Sequence, residues 1–277
     1  MTRRTFRAMG TDIELLVDAD AATDELDAAE AEFERLEAIL SRFRPESELS
    51  RLNRDGAIEA SADLARVVEL AVAARERTAG RFDPTVHDAL VAAGYDRSFE
   101  EVEDDDAPAP PAAPAGGGVL VDGHRIELAP GVRLDLGGIG KGYAAERAAE
   151  LLALAGDCLV SAGGDVAVRG GSWPVGVETA DGTLTLELTR GGLATSGRDR
   201  RRWRRGGREI HHLIDPRTGE PAETDLLRVT VVCSDAVEAE VVAKELFFAG
   251  SSAAAGSDVP GVLVTRDGRT LLTGALA

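Results

Sequence analysis

Nine residues, Leu134-Asp135-Leu136-Gly137-Gly138-Ile139-Gly140-Lys141-Gly142, set four glycines between an apolar run and a helix-forming one. Such a stretch leaves a strand, turns without side-chain hindrance and opens a helix. Glycines there let backbone approach a ligand closely, and N–H groups at a helix start favour phosphate. The functional reading is a cradle for an anionic ligand; the alternative is a purely structural turn. Two nucleotide loops fail on the letters. A Walker loop needs glycine where Asp135 stands and Ser or Thr where Gly142 stands. A dinucleotide fingerprint beginning at Gly138 needs Gly or Ala at position 143, which is Tyr143.

The surrounding periodicities frame this turn. Residues 9–17 alternate as a strand, and residues 21–41 follow as a helix with Leu26, Phe33, Leu36, Ala38 and Leu40 at helical intervals. A second helix spans 61–78, with Ser61 as N-cap. Strands are expected at 119–122, 125–128 and 132–136, then a helix at 140–155 and strands at 158–161, 165–169, 174–179 and 183–189. A hairpin over 198–214 turns at Gly206-Gly207, and a strand at 227–233, a helix at 236–249 and a hairpin at 261–272 follow. Strands outnumber helices without regular βαβ alternation, so the class is α+β. Residues 100–118, EEVEDDDAPAPPAAPAGGG, have almost nothing to bury and read as a surface loop inserted in a single domain, 1–277.

Composition narrows the function. The 277 residues are 44% hydrophobic, enough for a full core, and 49 acidic against 31 basic residues give a charge of −18. That balance opposes nucleic acid and anionic membranes and suits solubility in concentrated salt. The exception is Arg198 to Arg208, RDRRRWRRGGR, read as a solvated hairpin or a contact surface for an acidic partner. Cys158 and Cys233 sit in apolar stretches and read as two buried thiols. The opening MTRRTFRAMGTDIELLV lacks the apolar core of an export signal, and no run suffices for a membrane span, so the expected location is the cytoplasm.

Further segments could carry chemistry. Ser161-Ala162-Gly163-Gly164-Asp165 is a second glycine turn whose Asp165 either binds ligand or caps the turn. Phe82-Asp83-Pro84-Thr85-Val86 begins like a capped helix, and Phe43 in Ser41-Arg42-Phe43-Arg44-Pro45 stacks on a base or fills core. In His211-His212-Leu213-Ile214-Asp215-Pro216-Arg217-Thr218-Gly219, adjacent histidines on a strand face opposite ways, which argues against a two-histidine metal centre. One of them is either an acid, base or phosphate donor or a turn stabiliser. Glu240 and Lys244 share a helix face as a surface ion pair; a metal carboxylate at Glu240 requires that this helix meet the glycine loops.

In order, these segments resemble the ApbE family of FAD:protein FMN transferases, whose pattern runs MGT, S-T-Y-R-P…S-x-L-S-R-x-N, G-x-F-D-P-T-V, D-L-G-x-I-A-K-G, GG[DN], SG and HHIIDPxTG. Here they stand as Met9-Gly10-Thr11, Ser41 to Asn53, Gly80 to Val86, Asp135 to Gly142, Gly163 to Asp165, Ser196-Gly197 and His211 to Gly219. The resemblance implies an α+β fold related to the T-fold, with mixed or antiparallel sheets and packed helices. It implies transfer of FMN from FAD to a Thr or Ser hydroxyl of an acceptor flavoprotein, with release of AMP, by a monomer or homodimer. FAD hydrolysis to FMN and AMP, or FAD binding without turnover, are the alternatives.

The resemblance also assigns residues. Met9, Phe43, Arg81, Phe82 and Asp83 would surround flavin and adenosine, with Pro84 and Thr85 in the same segment. Asp135, Lys141 and His212 would contact FAD, with Gly163, Gly164, Asp165, Ser196 and Gly197 in the matching turns. His212 is the candidate for activating the attacking hydroxyl. Magnesium is the implied ion, with Gly138 offering a carbonyl and Glu240 a carboxylate. Phe43 replaces a common Tyr. At the third metal position stands Lys244, whose ammonium has donors and no acceptor, so weakened or absent magnesium dependence is expected.

Overall fold

The computed structural model describes residues 1–111 and 113–276; residue 112, within the 100–118 stretch, and residue 277 lie outside the described residues. Its helices are α1 (Thr23–Leu40), α2 (Glu48–Asp55), α3 (Ala62–Arg77), α4 (His87–Ala92), α5 (Gly140–Leu152), α6 (Ala236–Ala249) and α7 (Ser251–Ala254). The chain forms two compact units: Met1–Glu37 with Ile139–Gly197 and Thr224–Ala277, and Ala38–Gly138 with Arg198–Glu223.

The first unit is built on an eight-stranded sheet whose strands, in spatial order, are Thr2–Ala8, Thr11–Val17, Cys158–Ala162, Asp165–Glu178, Thr183–Gly197, Leu226–Cys233, Gly261–Thr265 and Thr270–Thr273. Every neighbouring pair is antiparallel. Helix α5 packs on strands Cys158–Ala162 and Asp165–Glu178, α6 packs on Thr183–Gly197 and Leu226–Cys233, and the two helices touch. In α1 the buried positions are Leu26, Ala29, Phe33, Leu36 and Leu40, one face of a 3.6-residue period, while Ala38 is exposed. Phe33 meets the ring of Phe6 edge-on at 5.6 Å. Each such large side chain contributes about 1.5–3 kcal/mol on burial.

Several sequence expectations change. The strand expected from residue 9 begins at Thr11, because Met9 (φ 52°) and Gly10 (φ 66°) form the tight turn that joins it to a further strand, Thr2–Ala8. The two strands expected at 165–169 and 174–179 are one, Asp165–Glu178. It runs through an irregularity at Gly170-Gly171, where Trp173 Nε1 donates to the Gly170 carbonyl at 2.8 Å. The strand expected to stop at 189 continues to Gly197 under the start of α6.

The second unit holds α2, α3 and α4, a three-stranded sheet ordered Ala57–Glu59, Arg125–Leu128, Val119–Asp122, and the hairpin Arg202–Arg205 with Arg208–His211. Ser61 caps α3, accepting from Leu64 N at 3.3 Å. Residues 132–136 form no strand. The side-chain amide of Asn53 takes the place of a strand partner: it donates to the Leu134 carbonyl at 2.8 Å and accepts from the Leu134 N–H at 2.7 Å. Asp135 N–H donates to the Pro84 carbonyl at 2.8 Å. Backbone that would otherwise need a ladder is thereby satisfied one residue before Asp135.

The arginine hairpin is less solvated than its letters suggest. Trp203 is buried against Tyr95, at 5.8 Å between ring centroids, and donates to the Ala93 carbonyl at 2.9 Å. The acidic stretch runs along it: Asp104 accepts from Arg204 N–H at 2.8 Å and Asp105 pairs with Arg205 at 3.5 Å. Among the described residues no helix is long and apolar enough to cross a membrane.

Candidate functional site

The first unit gathers several candidate residues at one end of its sheet. Strand Thr11–Val17 pairs with Cys158–Ala162 so that Ile13 opposes Ala162, which puts the Met9-Gly10 turn next to the Gly163-Gly164 turn. The approach is close: Gly163 N–H donates to the Asp12 carbonyl at 3.1 Å, and a Cβ on Gly163 would fall 2.1 Å from Thr11 Oγ1. Gly164 lies against Thr195, beside Ser196-Gly197 at the end of its strand. The conformations, φ 64° at Gly163 and 110° at Gly164, favour glycine.

At this end Lys141, the second residue of α5, pairs with Asp165 Oδ2 at 2.9 Å and with Glu240 Oε1 at 2.5 Å. Glu240 is not on the surface: its side chain is 1% exposed, on the face of α6 turned to α5. Its Oε2 accepts the Gly142 N–H at 2.9 Å. The anion at the Gly142 N–H is therefore the protein's own carboxylate, so this one of the N–H groups near the helix start is already engaged. Gly142 is required for the approach, since a Cβ there would sit 2.6 Å from the Ala236 carbonyl oxygen.

Lys244, one turn further along α6, places Nζ 3.3 Å from Glu240 Oε1 and 3.1 Å from the Glu240 backbone carbonyl. The expected surface ion pair is thus a buried one, because the helix face that carries it packs inward. Burial raises the pKa of Asp165, and Glu240's charge adds to this against the two lysines. Burial also raises Glu240, but Lys141, Lys244 and the Gly142 hydrogen bond outweigh it and leave it below the usual carboxylate range. Burial lowers Lys244, opposed by the carboxylates.

The second unit gathers another set. Arg42 Nε lies 2.5 Å from Asp135 Oδ2, with side chains 5% and 11% exposed. The Arg42 guanidinium stands over the rings of Phe43 and Tyr95, at 4.1 and 4.8 Å, and donates to the Tyr95 carbonyl at 2.6 Å. Asp83 is not the cap of α4, which begins at His87 without a side-chain cap. Instead its Oδ1 accepts from Thr85 N–H and Oγ1 at 2.9 and 2.7 Å, and Oδ2 pairs with Arg75 at 2.6 Å. This fixes the Arg81-Phe82-Asp83-Pro84-Thr85 turn, with Phe82 and Pro84 buried and Arg81 half-buried. Gly138 ends this unit's first segment.

The two adjacent histidines part company. His211 is buried; its Nδ1 accepts from the Leu213 N–H at 3.3 Å, so Nε2 carries the proton toward the Ala222 carbonyl at 3.2 Å. His212 is half-buried, with Nδ1 3.4 Å from the Arg201 carbonyl. The next turn is closed by Asp215, held below its ordinary pKa by Arg217 against the opposing effect of burial.

Arg42 and Asn53 lie in the matched stretch Ser41 to Asn53, but the sequence assigned neither a role of its own. Arg42 carried a usable signal, an arginine beside an aromatic residue in a motif that otherwise drew the eye to Phe43. Asn53 closes the S-x-L-S-R-x-N pattern, but its letters do not show its partner, which is 81 residues away.

The ApbE family's sequence pattern matches residues 9–257. The FAD:protein FMN transferase of Treponema pallidum (strain Nichols) is 30% identical over 262 residues, covering 82% of this chain and 72% of its own. The enzyme of that name from Haemophilus influenzae is 29% identical over 258 residues, covering 82% and 75%. An ApbE protein from Thermotoga maritima has a crystal structure that superposes with a TM-score of 0.85 at 25% identity, over 98% of this chain and 96% of that one. The apo flavinyl transferase ApbE of Pseudomonas stutzeri shares the fold, with a TM-score of 0.84 at 24% identity, over 98% and 94%. With its antiparallel sheet, its paired glycine turns and this match over nearly its whole length, the chain belongs to the ApbE family.

Proposed function

We propose that this protein is an FAD:protein FMN transferase, 1–277 acting as one flavin transferase domain. The observation that carries the reading is the convergence of Met9, Lys141, Gly163, Gly164, Asp165, Ser196, Gly197 and Glu240 on one end of the first unit's sheet. A buried lysine beside glycine turns suits a pyrophosphate, whose concentrated charge needs cations and close backbone. Taken by itself, the second unit holds Phe43 and Asp135, both aligned by Arg42, which the family resemblance assigns to contacts with FAD.

The reaction is a phosphoryl-linked transfer. The acceptor's Thr or Ser oxygen bonds to the FMN phosphorus while the bond from that phosphorus to the bridging oxygen breaks. AMP leaves with the electron pair, and the hydroxyl proton passes to a base, for which His212 is the candidate since His211 is committed to backbone. Magnesium, the ion implied by the family resemblance, does not fit the residues present. Both Glu240 oxygens already have donors, and an ammonium, which has no lone pair to offer, stands at the third position.

That same closed charge cluster favours a second reading, FAD binding without turnover, and FAD hydrolysis lies between the two. Purified protein incubated with FAD, with and without a Thr-bearing acceptor, separates them. Transferase activity yields AMP together with covalent flavin on the acceptor; hydrolysis yields AMP and free FMN; a binding protein yields neither.

A further inference from the structure

Four charges of the first unit, on Lys141, Asp165, Glu240 and Lys244, are closed on one another. Lys141 Nζ and Lys244 Nζ lie 2.5 and 3.3 Å from the same atom, Glu240 Oε1. Lys141 also reaches Asp165 Oδ2 at 2.9 Å, and Glu240 Oε2 holds the Gly142 N–H at 2.9 Å. All four side chains are between 1% and 17% exposed. Two ammonium groups balance two carboxylates, which is how a protein tolerates charges at this depth. A magnesium ion would need an oxygen lone pair at about 2.0–2.1 Å, and on Glu240 Oε1 it would meet two cations already there.

We propose that the ammonium of Lys244 stands in for the divalent cation, so that FMN transfer by this protein runs on fixed lysine charge and needs no divalent metal. Lys244 is preorganised for this. The backbone carbonyl of Glu240, one helical turn back, holds the ammonium at 3.1 Å, and Glu240 Oε1 holds it from the side. Lys141 and Lys244 then form a cationic pair beside the glycine turns, positioned to stabilise negative charge as AMP departs with the electrons of the broken P–O bond. The role in the reaction rests on the transferase reading; the exclusion of a divalent ion does not.

The test therefore has two readouts. Chelator-treated protein is titrated with Mn2+ and followed by electron paramagnetic resonance, with and without FAD. The native chain is expected to take up no stoichiometric Mn2+, and Lys244→Asp, which exchanges a donor for an acceptor, is expected to bind one. In parallel, covalent flavin on a Thr-bearing acceptor is measured with EDTA or with added magnesium. The native protein is expected to transfer equally in both, whereas Lys244→Asp loses roughly a hundredfold without metal and recovers with it. Stoichiometric Mn2+ uptake by the native chain overturns the proposal, as does native activity abolished by EDTA and restored by magnesium. Absence of covalent flavin under every condition overturns the transferase reading instead, while the Mn2+ titration of the native chain still decides the role of Lys244, even where the variant does not fold.

Discussion

Arg42 and Asp135, 93 residues apart, form a buried ion pair at 2.5 Å that joins the ring of Phe43 to the glycine-rich turn. Arg42 does three things at once: it neutralises the carboxylate, covers two aromatic rings and donates to the Tyr95 carbonyl. Arg42→Ala leaves Asp135 buried without its cation, which costs about 3–5 kcal/mol. Urea unfolding should show this loss, and FAD titration followed by flavin fluorescence should show weaker binding although Arg42 was never among the residues assigned to FAD. Arg42→Lys keeps the charge without the planar fork and should fall between the two.

The adjacent histidines give opposite signatures. His211 uses both ring nitrogens on backbone. His211→Ala strands the Leu213 N–H and Ala222 carbonyl and should cost about 1–3 kcal/mol in urea unfolding. His212→Ala should leave stability within about 0.5 kcal/mol. It should slow FMN transfer roughly 10²–10⁴-fold in an acceptor-labelling assay. A His212→Ala protein that transfers at the parent rate removes this residue from the mechanism.

Two glycines set the spacing between α5, α6 and the sheet. A Cβ on Gly192 would lie 2.1 Å from Ala236 N, and one on Gly142 2.6 Å from Ala236 O, both backbone atoms that cannot rotate away. Gly142→Ala should destabilise by about 1–3 kcal/mol, with Gly192→Ala costing more. Gly116→Ala, with nothing within 4 Å of its Cβ, serves as the comparison and should stay within about 0.5 kcal/mol. Thermal unfolding of the three variants ranks them.

The two thiols should also separate. Cys158 is buried and its Sγ–H faces the Ala149 carbonyl at 3.4 Å; burial pushes its pKa from 9.0 up to about 11 against the opposing charge of Arg169. Cys233, expected from its letters to be buried as well, is half-buried, because it ends its strand. Under native conditions a chromogenic disulfide reagent should label Cys233 first and Cys158 only on unfolding. Because the folded pKa lies above the unfolded one, the stability linked to the neutral Cys158 thiol is complete below pH 9 and is lost as pH rises toward 11. Cys158→Ala should flatten that alkaline decline in unfolding free energy.

What the letters disclose follows the range of the interaction. Helix α3 was legible because its evidence is local: Ser61 at the cap and Leu64, Val67, Val68 and Ala71 on one face. Helix α2 was not, since only Leu49 and Leu52 of its eight residues are buried, too few to show a period. The false strand at 132–136 has a strand's alternation, but the backbone bonds of Leu134 go to the side chain of Asn53 in α2. Glu240 reads as a surface residue because a glutamate followed four residues later by lysine is a common exposed pair. Its burial depends on Gly142, 98 residues earlier, admitting the carboxylate. The site's residue types were therefore legible, whereas its electrostatics were not.

The first unit's sheet has a consequence for synthesis. Strand Thr183–Gly197 is flanked by Asp165–Glu178, already made, and by Leu226–Cys233, made later, and α6 with Glu240 comes later still. Until those segments emerge from the ribosome, the inner sheet keeps an open edge and Lys141 has Asp165 but lacks Glu240. A nascent chain thus holds the Lys141–Asp165 pair before Glu240 and Lys244 arrive to enclose it. A chain cut before residue 226 would therefore leave strand Thr183–Gly197 with an unpaired edge, a template for pairing with other chains.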